Sequence, residues 1–201
     1  MKRPLAVAIT GGVGAGKSET LKAFARAGAA TISSDEIVHR LLREDPDVRA
    51  AIVNRWGSRA LDDAGQIDRT AIGAIVFKDR DQLAWLEGLL HPRVVREYLA
   101  WRDELARLPD PPRLAVNEVP LLYETGSDGR FDAVVVITAP EAVRVQRAGE
   151  RLDAREERLI DDDVKAARAD FAYVNTGTLE ELDEFVRGVM RALETRRSSL
   201  V

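Results

Sequence analysis

Short apolar runs alternate with longer segments of helical periodicity along most of this chain. The run at residues 5–9 predicts a buried strand, and Leu21, Phe24 and Ala25 follow it at the spacing of one helix face. Similar segments predict strands within residues 28–36 and at residues 114–119, 131–138 and 171–174, and helices at residues 37–43 and about 179–194, the last with a capping box at Thr178 and Glu181. Strands that alternate with helices in this order predict a three-layer α/β/α fold, in which helices cover both faces of a parallel sheet.

Residues 45–112 interrupt this alternation with a mainly helical pattern. Apolar positions recur at helical spacing through the block, and turn-forming residues interrupt it at residues 62–65 and 91–92, among other places. A wholly helical block inside an α/β chain predicts an inserted subdomain. Trp85 and Trp101, which lie within it, are better explained as packing residues than as ligands that stack on a ring.

The segment at residues 11–18, GGVGAGKS, fits the pattern GxxxxGK[ST] and lies between the first strand and the first helix. Strand, glycine-rich loop and helix follow in the order that a phosphate-binding P-loop requires. Glycine suits such a loop because backbone N–H groups must converge on phosphate oxygens without Cβ atoms in the way. In a P-loop, Lys17 reaches the β- and γ-phosphates and the Ser18 hydroxyl holds Mg²⁺. The alternative is a glycine-rich turn without a ligand, but the flanking elements favour nucleotide binding.

Two acidic residues are predicted near strand ends, where open α/β sheets bind their ligands. Asp35 follows the short second strand and is a candidate for catalysis, although Ser34 or Asp35 could also simply cap the next helix. Asn117 and Glu118 are polar where a central parallel strand should be apolar. Glu118 is therefore either a second carboxylate near Mg²⁺ or substrate, or part of a solvated strand end.

Arginine recurs at steps of three and four residues after Pro140, which is placed to begin a helix; the positions are Arg144, Arg147, Arg151, Arg155 and Arg158. An unbroken helix would carry these side chains on one stripe. The stripe predicts either a lid that closes over ATP and meets the transition-state charge, or a solvated helix with neighbouring acidic partners. The P-loop favours the lid. The three acids at residues 161–163 are expected to face solvent.

The bulk composition limits the classes of function. With 201 residues, of which 45% are apolar and 32% charged, the chain suits one globular domain with inserted subdomains. A net charge of −4 argues against a general nucleic-acid or membrane-surface role, which needs an excess of Lys and Arg. No apolar run approaches the ~18 residues of a membrane span. The absence of cysteine excludes disulfides and a Cys nucleophile, and it is compatible with a cytoplasmic protein.

An ordered series of motifs resembles the dephospho-coenzyme A kinase family nearly end to end. The motifs are TGGVGAGKS at residues 10–18, SDEI at 34–37, GQIDR at 65–69, VF at 76–77, LEGLLHP at 86–92, PLLYE at 120–124, AD at 169–170 and NTG at 175–177. The resemblance implies a single P-loop kinase domain at residues 1–201 with three parts. These are a core at about 1–36, 112–140 and 166–201, a helical substrate-binding insert at about 37–111, and a helical lid at about 141–165.

The resemblance also implies a reaction: ATP phosphorylates the ribose 3′-hydroxyl of dephospho-coenzyme A with Mg²⁺ present, in the last step of coenzyme A synthesis. Another P-loop small-molecule or nucleotide kinase is the alternative. By this likeness Asp35 is the general base or hydroxyl-orienting group, and Lys17 and Arg151 are further catalytic residues. The expected partners are ATP and dephospho-coenzyme A, without nucleic acid or membrane, for a cytoplasmic monomer or weak homo-oligomer.

The binding residues that the resemblance implies fall into three sets. ATP would be bound by Gly12, Val13, Gly14, Ala15, Gly16, Lys17, Ser18, Glu19, Asn175 and Gly177; the acceptor would be bound by Asp35, Arg69, His91, Pro120 and Leu121; and Ser18 is the expected metal ligand.

Two positions depart from the family's pattern. Glu19 stands where relatives usually carry Thr or Val, so we expect its side chain to point away from the phosphates. Arg158 leads into the acidic residues 161–163, where many relatives carry Gln. The second departure concerns the details of the lid rather than the reaction.

Overall fold

The computed structural model describes residues 3–148 and 160–198. The chain divides into two compact units: the first contains the residues up to Ser33 and from Arg102 onwards, and the second contains Ser34–Trp101. In chain order the helices are α1 (Lys17–Arg26), α2 (Ser34–Glu44), α3 (Pro46–Trp56), α4 (Arg69–Val76), α5 (Arg80–Arg107), α6 (Glu141–Ala148), α7 (Asp162–Arg168) and α8 (Leu179–Ser198).

Within the described residues, the first unit is built on a sheet of five parallel strands, as predicted. The strands are β1 (Leu5–Thr10), β2 (Ala30–Ser33), β3 (Leu114–Glu118), β4 (Ala133–Thr138) and β5 (Phe171–Val174), in the spatial order β2-β3-β1-β4-β5. β1 is central, between β3 and β4. All three strands are buried over nearly their whole length, which explains why they are mostly continuous apolar runs in the sequence.

Helices cover both faces of this sheet, which confirms the predicted α/β/α layers. On one face, Val7 of β1 packs in a buried cluster with Phe24 of α1 and Val186 of α8. On the other face, Ala8 packs in a second cluster that includes Ala166 of α7. Because successive side chains of a strand point to opposite faces, the neighbours Val7 and Ala8 belong to different layers.

The start of α8 follows the predicted capping box. The backbone N–H of Glu181 donates to Oγ1 of Thr178 at 3.3 Å, and the backbone N–H of Thr178 donates to Oε2 of Glu181 at 2.8 Å. Other boundaries shift by one to four residues: β4 begins at Ala133, α6 begins directly after Pro140, and α2 begins at Ser34, three residues before its predicted start. Among the described residues, no helix is both long enough and apolar enough to cross a bilayer.

The second unit is helical, with α2, α3, α4 and most of α5. Asp45 and Asp68 are the N-caps of α3 and α4, and Oδ1 of each accepts two backbone N–H groups of the first turn. α5 continues through Pro92, so the predicted interruption at this point is wrong. Leu90 and Tyr98 are buried on either side of the proline, and their packing offsets the backbone hydrogen bond that proline cannot donate.

Candidate active site

The loop between β1 and α1 requires glycine at two positions. At Gly11 the backbone φ is +142°, and a Cβ atom would lie 1.9 Å from the carbonyl oxygen of Ile137. At Gly16 φ is +103°, and a Cβ atom would lie 2.2 Å from Nδ2 of Asn175. Residues with a side chain rarely adopt such φ values, so the backbone conformation strongly favours glycine at both positions, and at Gly11 the close contact with fixed backbone excludes a side chain as well.

Lys17 is the first residue of α1, and its ammonium group lies within the loop. Nζ donates hydrogen bonds to the carbonyl oxygens of Gly11 and Gly12, at 3.0 and 2.8 Å. The free N–H groups and the dipole of the helix N-terminus add positive polarity at the same end of the sheet. This arrangement suits an anion such as a phosphate group. Glu19 pairs with Lys22 at 2.6 Å on the surface of α1.

Ser18 and Glu118 bring two oxygen groups together beside the loop. The Ser18 hydroxyl donates a hydrogen bond to Oε1 of Glu118 at 3.2 Å. Glu118 is the last residue of β3 and is only 6% exposed, so its interpretation as a solvated strand end is wrong. A hydroxyl and a carboxylate are the kind of oxygen ligands that Mg²⁺ takes together with phosphate oxygens. No cluster of three or more His, Cys, Asp or Glu side chains suitable for a metal occurs in the part of the chain that the structure describes.

The predicted arginine stripe is described as far as Arg147; Arg151, Arg155 and Arg158 lie outside the described residues. Nη1 of Arg147 donates a hydrogen bond to the backbone carbonyl of Asn175 at 3.3 Å. Arg144, one turn earlier on α6, lies over the start of the P-loop, because a Cβ atom on Gly12 would be 3.1 Å from its Nη1.

Asp162 lies against the P-loop rather than facing solvent, so the prediction for residues 161–163 is wrong at this position. Oδ2 and Oδ1 of Asp162 would be 2.8 and 3.2 Å from a Cβ atom on Gly12. Burial raises the pKa of Asp162, and the nearby positive charges of Arg144, Lys165 and Lys17 oppose that rise without cancelling it. The sequence shows three consecutive acidic residues, but the direction in which each side chain points depends on how α7 packs.

A buried ion pair anchors the segment that carries Asp162. Lys165 of α7 is 0% exposed, and its Nζ lies 2.8 Å from Oε1 of Glu124. The same oxygen accepts the backbone N–H of Ile160 at 3.1 Å. Glu124 ends the motif PLLYE, for which the sequence suggested no structural role, and its partner lies 41 positions further along (165 − 124). The pair could therefore not be predicted from the sequence.

Asn175, Gly177 and the PLLYE motif occupy defined places around the same end of the sheet. Nδ2 of the buried Asn175 donates to the carbonyl of Ala15 in the P-loop at 2.8 Å. Gly177 is exposed beside the N-terminal cap of α8.

The carbonyl of Pro120 accepts a hydrogen bond from the hydroxyl of Thr10 at 3.2 Å, and the carbonyl of Leu121 accepts one from the hydroxyl of Thr125 at 2.8 Å.

In the helical unit, the charges of Asp35 and Arg69 both influence the pKa of His39. Asp35 is exposed in the first turn of α2, and Arg69 is exposed at the start of α4. Burial and the charge of Arg69 lower the pKa of His39, while Asp35 and Glu36 partly offset them. His39 follows Asp35 by four residues, the spacing of one helix face, so its proximity to Asp35 can be read from the sequence. His91 is exposed on α5.

These features define the class of the protein. A parallel sheet, a glycine-rich loop after its central strand, and a lysine and serine at the start of the following helix are those of a P-loop nucleotide-binding protein. A family model described as dephospho-CoA kinase matches residues 5–181. The chain therefore belongs to the dephospho-CoA kinase family.

Known proteins are similar to the chain over nearly its whole length. The dephospho-CoA kinase of Thermobifida fusca (strain YX) is 33% identical over 202 residues, which cover 97% of this chain and 99% of the relative. Among solved structures, TT1252 from Thermus thermophilus is 31% identical with a TM-score of 0.78, covering 96% of this chain and 99% of its own. Dephospho-CoA kinase from Campylobacter jejuni is 26% identical with a TM-score of 0.69, covering 96% and 98%.

Proposed function

We propose that this protein transfers the γ-phosphoryl group of ATP to the ribose 3′-hydroxyl of dephospho-coenzyme A, which gives coenzyme A and ADP. The observation that carries the proposal is the P-loop with Lys17 inside it, in a chain of the dephospho-CoA kinase family. We also propose that the enzyme works in the cytoplasm, because both substrates are dissolved small molecules.

The P-loop and Lys17 hold the phosphates in this proposal. Lys17 exchanges the carbonyl oxygens of Gly11 and Gly12 for phosphate oxygens. The exchange is favourable because phosphate oxygens carry negative charge and attract the ammonium group more strongly than neutral carbonyl oxygens do. Backbone N–H groups of the loop and of the first turn of α1 neutralise the remaining charge. The arginines of α6 face the same end of the sheet and meet charge that develops on the γ-phosphoryl group.

Ser18 and Glu118 are the residues that would hold Mg²⁺, because they already place a hydroxyl and a carboxylate oxygen within 3.2 Å of each other. When bound, Mg²⁺ would neutralise negative charge on the phosphate groups of ATP. Glu118 accepts a hydrogen bond from the Ser18 hydroxyl and so keeps that side chain in place.

Asp35 is the residue proposed to orient the acceptor hydroxyl and to take its proton. A ribose hydroxyl is a weak nucleophile, and a carboxylate within hydrogen-bond reach contributes about 10² to 10⁴ in rate. Asp35 is exposed at the start of α2, and Ser33, two residues earlier, is paired in register with Glu118. Arg69 and His91 are the proposed contacts to other parts of the acceptor.

The experiment that tests the function is an ATP-coupled assay with dephospho-coenzyme A, shikimate, gluconate and AMP as separate acceptors. We expect consumption of dephospho-coenzyme A alone, with the new phosphate located at the 3′ position by ³¹P NMR. Lys17→Met should lower kcat by about 100-fold or more. Lys22→Met is the matched control, since Lys22 is exposed on the same helix. Consumption of another acceptor in place of dephospho-coenzyme A would overturn the proposal in favour of a different small-molecule kinase.

A further inference from the structure

Asn175 is held by hydrogen bonds from three different parts of the first unit. Its side-chain Nδ2 donates to the carbonyl of Ala15 at 2.8 Å. Its backbone N–H donates to the carbonyl of Thr138, at the end of β4, at 2.7 Å. Its own carbonyl accepts Nη1 of Arg147 at 3.3 Å. The residue is only 6% exposed, and its bond to Ala15 is buried.

The bond to Ala15 determines the direction of one P-loop N–H group. Ala15 and Gly16 share a trans peptide bond, since the described residues contain no cis peptide. In a trans peptide the C=O and N–H groups point to opposite sides of the chain. Because Nδ2 of Asn175 holds the Ala15 carbonyl on one side, the N–H of Gly16 must point to the other. In a P-loop, backbone N–H groups such as this one are directed at phosphate.

The close fit between Asn175 and Gly16 supports the same role. A Cβ atom on Gly16 would lie 2.2 Å from Nδ2 of Asn175, closer than two such atoms can approach. The amide of Asn175 therefore occupies the space that the absence of a side chain at Gly16 leaves open. The backbone conformation at Gly16 therefore depends on the amide of Asn175, and the position of that amide depends on the absence of a side chain at Gly16.

We propose that Asn175 is a positioning residue, which holds the Ala15–Gly16 peptide in its phosphate-binding orientation and connects the P-loop to Arg147 of α6. This inference rests on the proposed function in so far as the P-loop binds the phosphates of ATP. It differs from the adenine contact implied by the family resemblance, because a side-chain N–H of Asn175 is directed to the protein backbone.

The variant that tests this role is Asn175→Asp, which keeps the shape of the side chain but places an oxygen opposite the Ala15 carbonyl. Two acceptors at this distance repel each other. We expect the Kd values of Mg²⁺-ATP and of inorganic tripolyphosphate with Mg²⁺ to rise by the same factor, about tenfold or more. Asn54→Asp is the matched control, because Asn54 is exposed on α3 and should leave both Kd values unchanged.

The second readout is the pH dependence of the variant's affinity relative to that of the wild-type enzyme. Below the pKa of the introduced carboxyl group, a proton restores a donor opposite the Ala15 carbonyl. The ratio of variant to wild-type Kd should therefore fall as the pH is lowered from about 8 towards 5. A packing role alone would not restore affinity in this way.

The outcomes separate the possibilities. If Asn175→Asp weakens ATP and leaves tripolyphosphate unchanged, Asn175 reads the adenine and the inference is wrong; unchanged affinity for both probes also refutes it. If the charged variant does not fold, Asn175→Ala removes the donor without adding charge and gives the same comparison. Turnover of dephospho-coenzyme A by the wild-type enzyme tests the proposed function separately, because the loss of tripolyphosphate binding needs no acceptor.

Discussion

The buried pair of Lys165 and Glu124 allows a sharp test of what holds α7 against the sheet. Lys165→Met keeps the length and apolar stem of the side chain but removes its charge. Among the described residues, Oε1 of Glu124 then keeps the backbone N–H of Ile160 but loses the ammonium group 2.8 Å away. Breaking a buried ion pair costs about 3–5 kcal/mol, because one charge is left without its partner. Since the Glu124 side chain is 12% exposed, we expect a loss near 3 kcal/mol, the lower end of that range.

Urea denaturation measures this loss directly. With an m value of about 2–3 kcal/mol per molar urea, the midpoint should fall by about 1 M. The double variant Lys165→Met with Glu124→Gln contains neither charge and keeps an oxygen for the Ile160 N–H, so we expect its stability within about 1 kcal/mol of the wild type. The effect should change little with added salt, because buried charges are weakly screened.

Asp128→Asn is the matched control for the buried pair. It breaks the pair between Asp128 and Arg168, which also belongs to α7 but has side chains 34% and 46% exposed. An exposed pair contributes about 0–1 kcal/mol, and added salt should weaken it. If Lys165→Met costs no more than Asp128→Asn, or if the double variant is as unstable as the single one, the argument from burial is wrong.

The remaining predictions concern the carboxylates near the proposed site. Asp35→Asn should keep ATP affinity while phosphoryl transfer falls by about two orders of magnitude or more; unchanged turnover would remove Asp35 from the mechanism. Glu118→Gln should raise the Mg²⁺ concentration needed for half-maximal rate by about tenfold, because the oxygen that pairs with Ser18 loses its charge; an unchanged Mg²⁺ titration would contradict the metal assignment. The pKa of Asp162 is raised above its ordinary value of 3.8, so the stability linked to its protonation is present at low pH and is lost as the pH rises through the raised pKa. Asp162→Asn cannot ionise, and its free energy of unfolding relative to wild type should therefore increase from about pH 4 upwards; a constant difference across this range would refute the shift. The same substitution should tighten ATP binding, measured by titration, because it removes a negative charge beside Gly12.

Features that depend on local order along the chain were predictable. The five strands follow from short apolar runs, the P-loop from its spacing, and the start of α8 from Thr178 and Glu181. Steric and hydrogen-bonding preferences act over three or four residues in these cases, so the residues that interact are close together in the sequence. The likeness to the dephospho-CoA kinase family was equally visible, because its motifs are short and occur in a fixed order.

The contacts that complete the candidate site were decided by tertiary structure. Ser18 and Glu118 are 100 residues apart, and Ala15 and Asn175 are 160 apart. Parallel strands bring their carboxyl ends to one edge of a sheet, and no pattern along the chain records which side chains then meet. Burial also changed the interpretation of individual residues: Glu118 is buried, and Asp162 lies against the P-loop instead of facing solvent as predicted. The sequence by itself determined the elements and the phosphate-binding loop, because their causes are local, whereas the partners of Glu118, Asp162 and Asn175 required the packed chain.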